Sequence, residues 1–75
     1  MDERVNEVNR LLRDAGSWMH IRTLGTQNAG ELIYAVEEDG VCLGSGDTLF
    51  AAMRDAVSRM KARVALLEEA MARIG

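Results

Sequence analysis

The residues of this chain that could do chemistry are one histidine, His20, one cysteine, Cys42, and a set of scattered carboxylates. A thiol nucleophile needs a base within hydrogen-bond reach and a third group that orients the base. Cys42 falls in the short apolar run Val41-Cys42-Leu43, where it reads as a small core or edge residue rather than a nucleophile. A lone histidine and a lone cysteine cannot furnish a tetrahedral zinc site, and a single cysteine excludes an internal disulfide. No catalytic residue, metal or cofactor is therefore expected, and the chain does not read as an enzyme.

Three other constellations bear on function. Glu37-Glu38-Asp39 flanks a tight turn and is a candidate acidic docking spot for a protein partner, set against the plainer reading of a solvated hairpin tip. Gly44-Ser45-Gly46-Asp47-Thr48 stands where phosphate-cradling loops stand, just ahead of a helix. It lacks the P-loop lysine, and Asp47 puts negative charge where an anion would sit, so a helix cap is the better account. Trp18, Tyr34 and Phe50 are too few and too scattered for a base-stacking platform.

Composition narrows the function classes further. Seventy-five residues make one domain with a limited core, a size at which oligomerisation is a common source of stability. The net charge of −3 comes with both signs mixed along the chain, and no basic stripe marks a nucleic-acid interface, so direct nucleic-acid binding is not expected. No secretory signal is visible and no stretch approaches the ~20 apolar residues of a membrane span. A cytoplasmic location is the expectation.

These residues are positioned by five expected elements. A helix over 2–15 carries the apolar seam Met1, Val5, Val8, Leu12 and Ala15, with Arg10 and Arg13 in its last turn and Gly16 at the C-cap. A strand over 18–25 alternates Met19, Ile21 and Thr23 with Trp18, His20, Arg22 and Leu24. A polar turn over 26–30 leads to a strand over 31–37. Asp39-Gly40 suits a type I′ hairpin, and a strand over 41–44 follows. With a two-residue loop, Val36 should face Leu43, giving a core face of Leu32, Tyr34, Val36, Val41 and Leu43.

Asp47 or Thr48 should cap a long helix over 47–74. Its apolar residues Phe50, Met53, Val57, Met60, Val64, Leu67, Met71 and Ile74 alternate steps of three and four, a coiled-coil seam. Alanines at 51, 52, 56, 62, 65, 70 and 72 favour the helix and admit close neighbours. Such a helix is ~40 Å long, whereas seven-residue strands reach ~23 Å. Its end should overhang the sheet and meet the first helix or a second copy. The expected architecture is a two-layer α+β domain of order α-β-β-β-α, forming a homodimer. The expected interface is Val57, Met60, Val64, Leu67, Met71 and Ile74, with Val5, Val8 and Leu12 alongside. Met53, Met60 and Met71 could also serve an adaptable binding surface.

Residues 33–60, from Ile33 through the hairpin and Gly46-Asp47-Thr48-Leu49 into an alanine-rich helix, resemble the HicB-like antitoxin family. The resemblance implies a partial ribonuclease H-like fold that binds and neutralises a small RNA-cleaving toxin. This chain differs in having an N-terminal helix, no proline, and Phe50-Ala51 where the family carries glutamates. Size and charge alone also suit a phage or mobile-element inhibitor of a host complex, of anti-CRISPR type, or a structural dimerisation module. In each case the expected role is protein binding without catalysis.

Overall fold

The computed structural model describes residues 3–25, 32–60 and 64–75. The expectations for Met1, the helix start at Asp2, the turn over 26–30, the start of a strand at Glu31 and the helical residues 61–63, Ala62 included, lie outside them. The described elements are α1 (Glu3–Asp14), β1 (Met19–Gly25), β2 (Leu32–Glu38), β3 (Val41–Gly46), α2 (Leu49–Arg59) and α3 (Val64–Ile74). The strands form one antiparallel sheet in the order β1-β2-β3, so the α+β class read from the sequence holds.

Local chemistry sets the element ends. α1 closes in a Schellman motif: Gly16 takes φ +76°, its N–H donates to the Arg13 carbonyl, and Ser17 N–H reaches the Leu12 carbonyl at 2.9 Å. Asp39 and Gly40 both have positive φ, 53° and 80°, as a type I′ turn requires. Thr48, rather than Asp47, caps α2, its hydroxyl accepting from Ala51 N–H at 3.0 Å.

The helices pack on one side of the sheet. Met19, Ile21 and Val36 from that side join Val5, Val8 and Leu12 of α1, Leu49, Ala52, Met53 and Ala56 of α2, and Leu67 and Ala70 of α3 in one core. The expected core face is only partly right. Val36 is buried and Tyr34 and Leu43 are half-buried against the core, but Leu32 and Val41 are 51% and 60% exposed. Their places are taken by Met19 and Ile21 of β1. The register explains part of this. Glu37 pairs with Cys42 as a two-residue loop demands, but a bulge after Val36 makes Leu43 the extra residue, and Val36 faces Gly44.

The bulge brings Gly44 and Gly46 onto the helix side, where their lack of a Cβ is essential. A Cβ on Gly44 would lie 2.2 Å from the Ala56 nitrogen, and one on Gly46 would lie 2.7 Å from Ala51 Cβ. Glycine on the strand and alanine on the helix let α2 sit on β3 nearly backbone to backbone.

The single long helix over 47–74 is overturned. α2 ends at Met60, whose backbone is extended (φ −89°, ψ 148°) and whose N–H still bonds the Ala56 carbonyl. A straight helix of ~40 Å would exceed the longest dimension of the fold, 34 Å. Breaking it lets α3 pack against α1 and α2, so Leu67 and Ala70 are buried instead of overhanging. Removing such apolar area from water outweighs the few helical hydrogen bonds given up at the break.

Gly44→Ala should lower unfolding stability by about 1–3 kcal/mol or more in a denaturant titration, because neither backbone can yield. Gly25→Ala, whose Cβ would meet nothing within 4 Å, should change it by less than about 0.5 kcal/mol. Equal midpoints for the two variants would contradict the α2–β3 contact.

Candidate functional site

With the helical layer on one side, no described element packs on the other face of the sheet, although Ala35 in its middle row is only 2% exposed between its neighbours. The pairings place its side chains in rows: His20, Glu37 and Cys42 across the three strands, then Arg22, Ala35 and Ser45, then Leu24 beside Ile33. Glu37 is the polar centre of this face, its side chain 15% exposed between His20 and Arg22. Its Oε1 lies 3.4 Å from His20 Nε2 and 3.7 Å from Arg22 Nη1. One end of the face is thus charged and the other, at Leu24 and Ile33, apolar. Trp18, immediately before β1, is 83% exposed.

This geometry separates the histidine from the cysteine. His20 and Cys42 share a row but sit on opposite edge strands, ~9.6 Å apart at the backbone, with the Glu37 strand between. The His20 imidazole is turned to Glu37, and the Cys42 thiol donates to the Gly44 carbonyl at 3.5 Å. No thiol–imidazole pair forms. Among the described residues no group of three His, Cys, Asp or Glu side chains could hold a metal ion.

The acidic trio is divided by strand alternation. Glu37 lies on the open face, Glu38 pairs with Met19 and Val41 on the helix side, and Asp39 occupies the turn. They do not share one face of the sheet. The seam residues are likewise turned inward. Val5, Val8, Leu12 and Leu67 are fully or nearly buried in the chain's own core, and Val57, Met60, Met71 and Ile74 are half-buried against it. Val64 is half-buried as well. What the sequence presented as an interface between copies is, for these residues, largely the contact among α1, α2 and α3.

The sheet edges carry a feature that the sequence reading missed. Asn9 of α1 makes a two-bond clasp on β1: its Nδ2 donates to the Ile21 carbonyl at 3.2 Å, and Ile21 N–H donates to its Oδ1 at 2.6 Å. The carboxamide does there what a neighbouring strand would do. Ser17 Oγ accepts the Met19 N–H at 3.0 Å. On the opposite edge, Asp55 of α2 accepts the Ser45 N–H at 3.0 Å and is itself held by Arg59 Nε at 3.1 Å. Unpaired edge groups invite another strand, and side chains from the helices block these. The available signal was an asparagine, a weak helix former, beside an apolar helical seam.

The Ser45 N–H, then the Arg59 charge, hold the Asp55 carboxyl below its ordinary 3.8, against an opposing desolvation effect. No helix among the described residues is long and apolar enough to cross a membrane. No protein-family model, no curated protein and no solved structure matches this chain.

Asn9→Ala should cost about 1–3 kcal/mol, since Ile21 loses both partners, and should speed hydrogen exchange of the Ile21 amide selectively. Unchanged exchange would show that the clasp does not persist in solution. For Asp55 the folded pKa is depressed, so its contribution is present above the ordinary value of 3.8 and lost as pH falls through the lower folded value. An NMR titration should find the Ser45 amide shifting with a midpoint below 3.8, and Asp55→Asn should abolish that titration.

Proposed function

We propose that this chain is a small non-catalytic protein-binding module that neutralises or inhibits a protein partner in the cytoplasm, as the HicB-like antitoxin resemblance implies. The observation that carries the reading is the uncovered sheet face with Trp18 exposed beside it. A lone tryptophan left in water on a chain with a small core is costly surface, and tryptophan and arginine are the residues on which interface energy concentrates. Trp18 and Arg22 flank the centre of that face.

Size supports a partner that reaches beyond the face. Three strands ~4.8 Å apart and seven residues long present only about 300 Å². A standard interface removes about 800 Å² from each side. A partner on the sheet must therefore extend to Trp18 at one end and to Leu24 and Ile33 at the other. The Gly-Ser-Gly-Asp-Thr turn that carries the family resemblance has a packing role in this fold, seating α2 on β3 and capping it. In this reading it builds the scaffold, and the open face makes the contact.

The test is coexpression with the protein encoded beside this chain, followed by calorimetry on the copurified pair. Trp18→Ala should weaken binding at least about tenfold, roughly 1.4 kcal/mol, while leaving thermal unfolding unchanged. Trp18, the only tryptophan, should also shift its emission to the blue in the complex. Wild-type affinity in Trp18→Ala would remove the open face from the contact.

A further inference from the structure

We infer that the distal half of β1 is a self-association edge, on which a second copy of this chain pairs antiparallel about a two-fold axis through Leu24. Ladder groups alternate along an edge strand. Because Ile21 turns its N–H and carbonyl to Asn9, the outward-facing residues of β1 are Met19, Ile21, Thr23 and Gly25. Ser17 takes the first N–H and Asn9 takes both groups of the second. Among the described residues, no hydrogen bond occupies the outward groups of Thr23 and Gly25, and neither residue is proline or charged.

That short stretch is its own complement. A two-fold axis through Leu24 sets Thr23 of each copy opposite Gly25 of the other, which closes four backbone hydrogen bonds. The next outward residue, Ile21, keeps Asn9, so the clasp fixes where pairing stops. On the open face Leu24 meets its symmetry mate as a close non-hydrogen-bonded pair, with Ile33 of each copy beside it. On the helix side the 51% exposed Leu32, paired to Gly25, adds apolar surface next to the same edge. Leu24, Leu32 and Ile33, three of the five exposed large apolar residues among those described, therefore lie around the stretch of β1 that no described helix side chain occupies. The two sheets become one six-stranded sheet with a continuous open face. The contact is well under the ~1,200 Å² of a standard interface, so the dimer is weak and concentration-dependent.

Sedimentation velocity from about 10 µM to about 1 mM should show mass rising from one chain towards two, the range suited to so small an interface. Thr23→Pro should hold the protein at monomer mass. Its N–H points away from β2, so the internal ladder is retained. Should that variant unfold, Leu24→Cys in a Cys42→Ser background decides. The axis puts the two Cα atoms ~4.5 Å apart, within disulfide range. It should oxidise to a covalent dimer much faster than Val41→Cys in the same background. Monomer mass throughout, dimerisation unchanged in Thr23→Pro, or equal cross-linking by the two cysteine variants would each overturn the inference. Trp18→Ala should leave self-association intact, which separates this edge from the partner contact on the open face.

Discussion

The approach of α2 to β3 is the constraint from which the rest of the structure follows. A glycine on the strand meets the helix backbone so closely that a single methyl group at Gly44 would overlap the Ala56 nitrogen. Only with the helix that near do Leu49 and Met53 reach full burial beneath it. The bulge after Val36 is part of the same arrangement, because it turns Gly44 and Gly46 towards the helix. In a chain with so little core, seating one helix tightly secures much of the available apolar burial. It also commits the helical layer to one side and leaves the other side of the sheet to solvent or to a partner.

The helices also act at the sheet's margins. Asn9 and Asp55 project from α1 and α2 onto opposite edge strands and occupy backbone groups that would otherwise template another chain. The guard is local, since a side chain can satisfy one residue of a ladder and no more. At the Leu24 end of β1 the edge lies past Asn9, and Leu24, Ile33 and Leu32 are exposed there. Guarded edge, open face and unguarded tip are thus three consequences of where two helices lie over three strands.

The apolar periodicity of the last third of the chain shows what such a pattern can and cannot carry. Every residue of the seam from Phe50 to Ile74 that is described is buried or half-buried, as a heptad seam leads one to expect. The seam is nonetheless divided between two helices, and the surface it meets is largely the chain's own. A repeat of three and four specifies that each turn buries one side. It does not specify that successive turns share an axis, because ending one helix at Met60 and beginning another at Val64 preserves the period within each half. No glycine or proline marks the break; burial against α1 decides it.

Much was legible in the residues alone, and for local reasons. Gly16 and its Schellman bonds, the Asp39-Gly40 turn, the cap before α2, the three strands and the inward side of β1 all depend on backbone preferences or on neighbours within a few positions. Four features depended on the tertiary structure: the bulge that displaced Leu43, the exposure of Leu32 and Val41, the division of the long helix, and the edge clasps of Asn9 and Asp55. Each requires elements distant in sequence to meet, and each is settled by competition between burial and hydrogen bonding across that contact. The separation of His20 from Cys42 belongs with them, since strand order alone placed Glu37 between. Helix and strand come from periods of 3.6 and 2, which a sequence displays. Which surfaces remain uncovered comes from how far each helix reaches over the sheet, and only the assembled fold contains that distance.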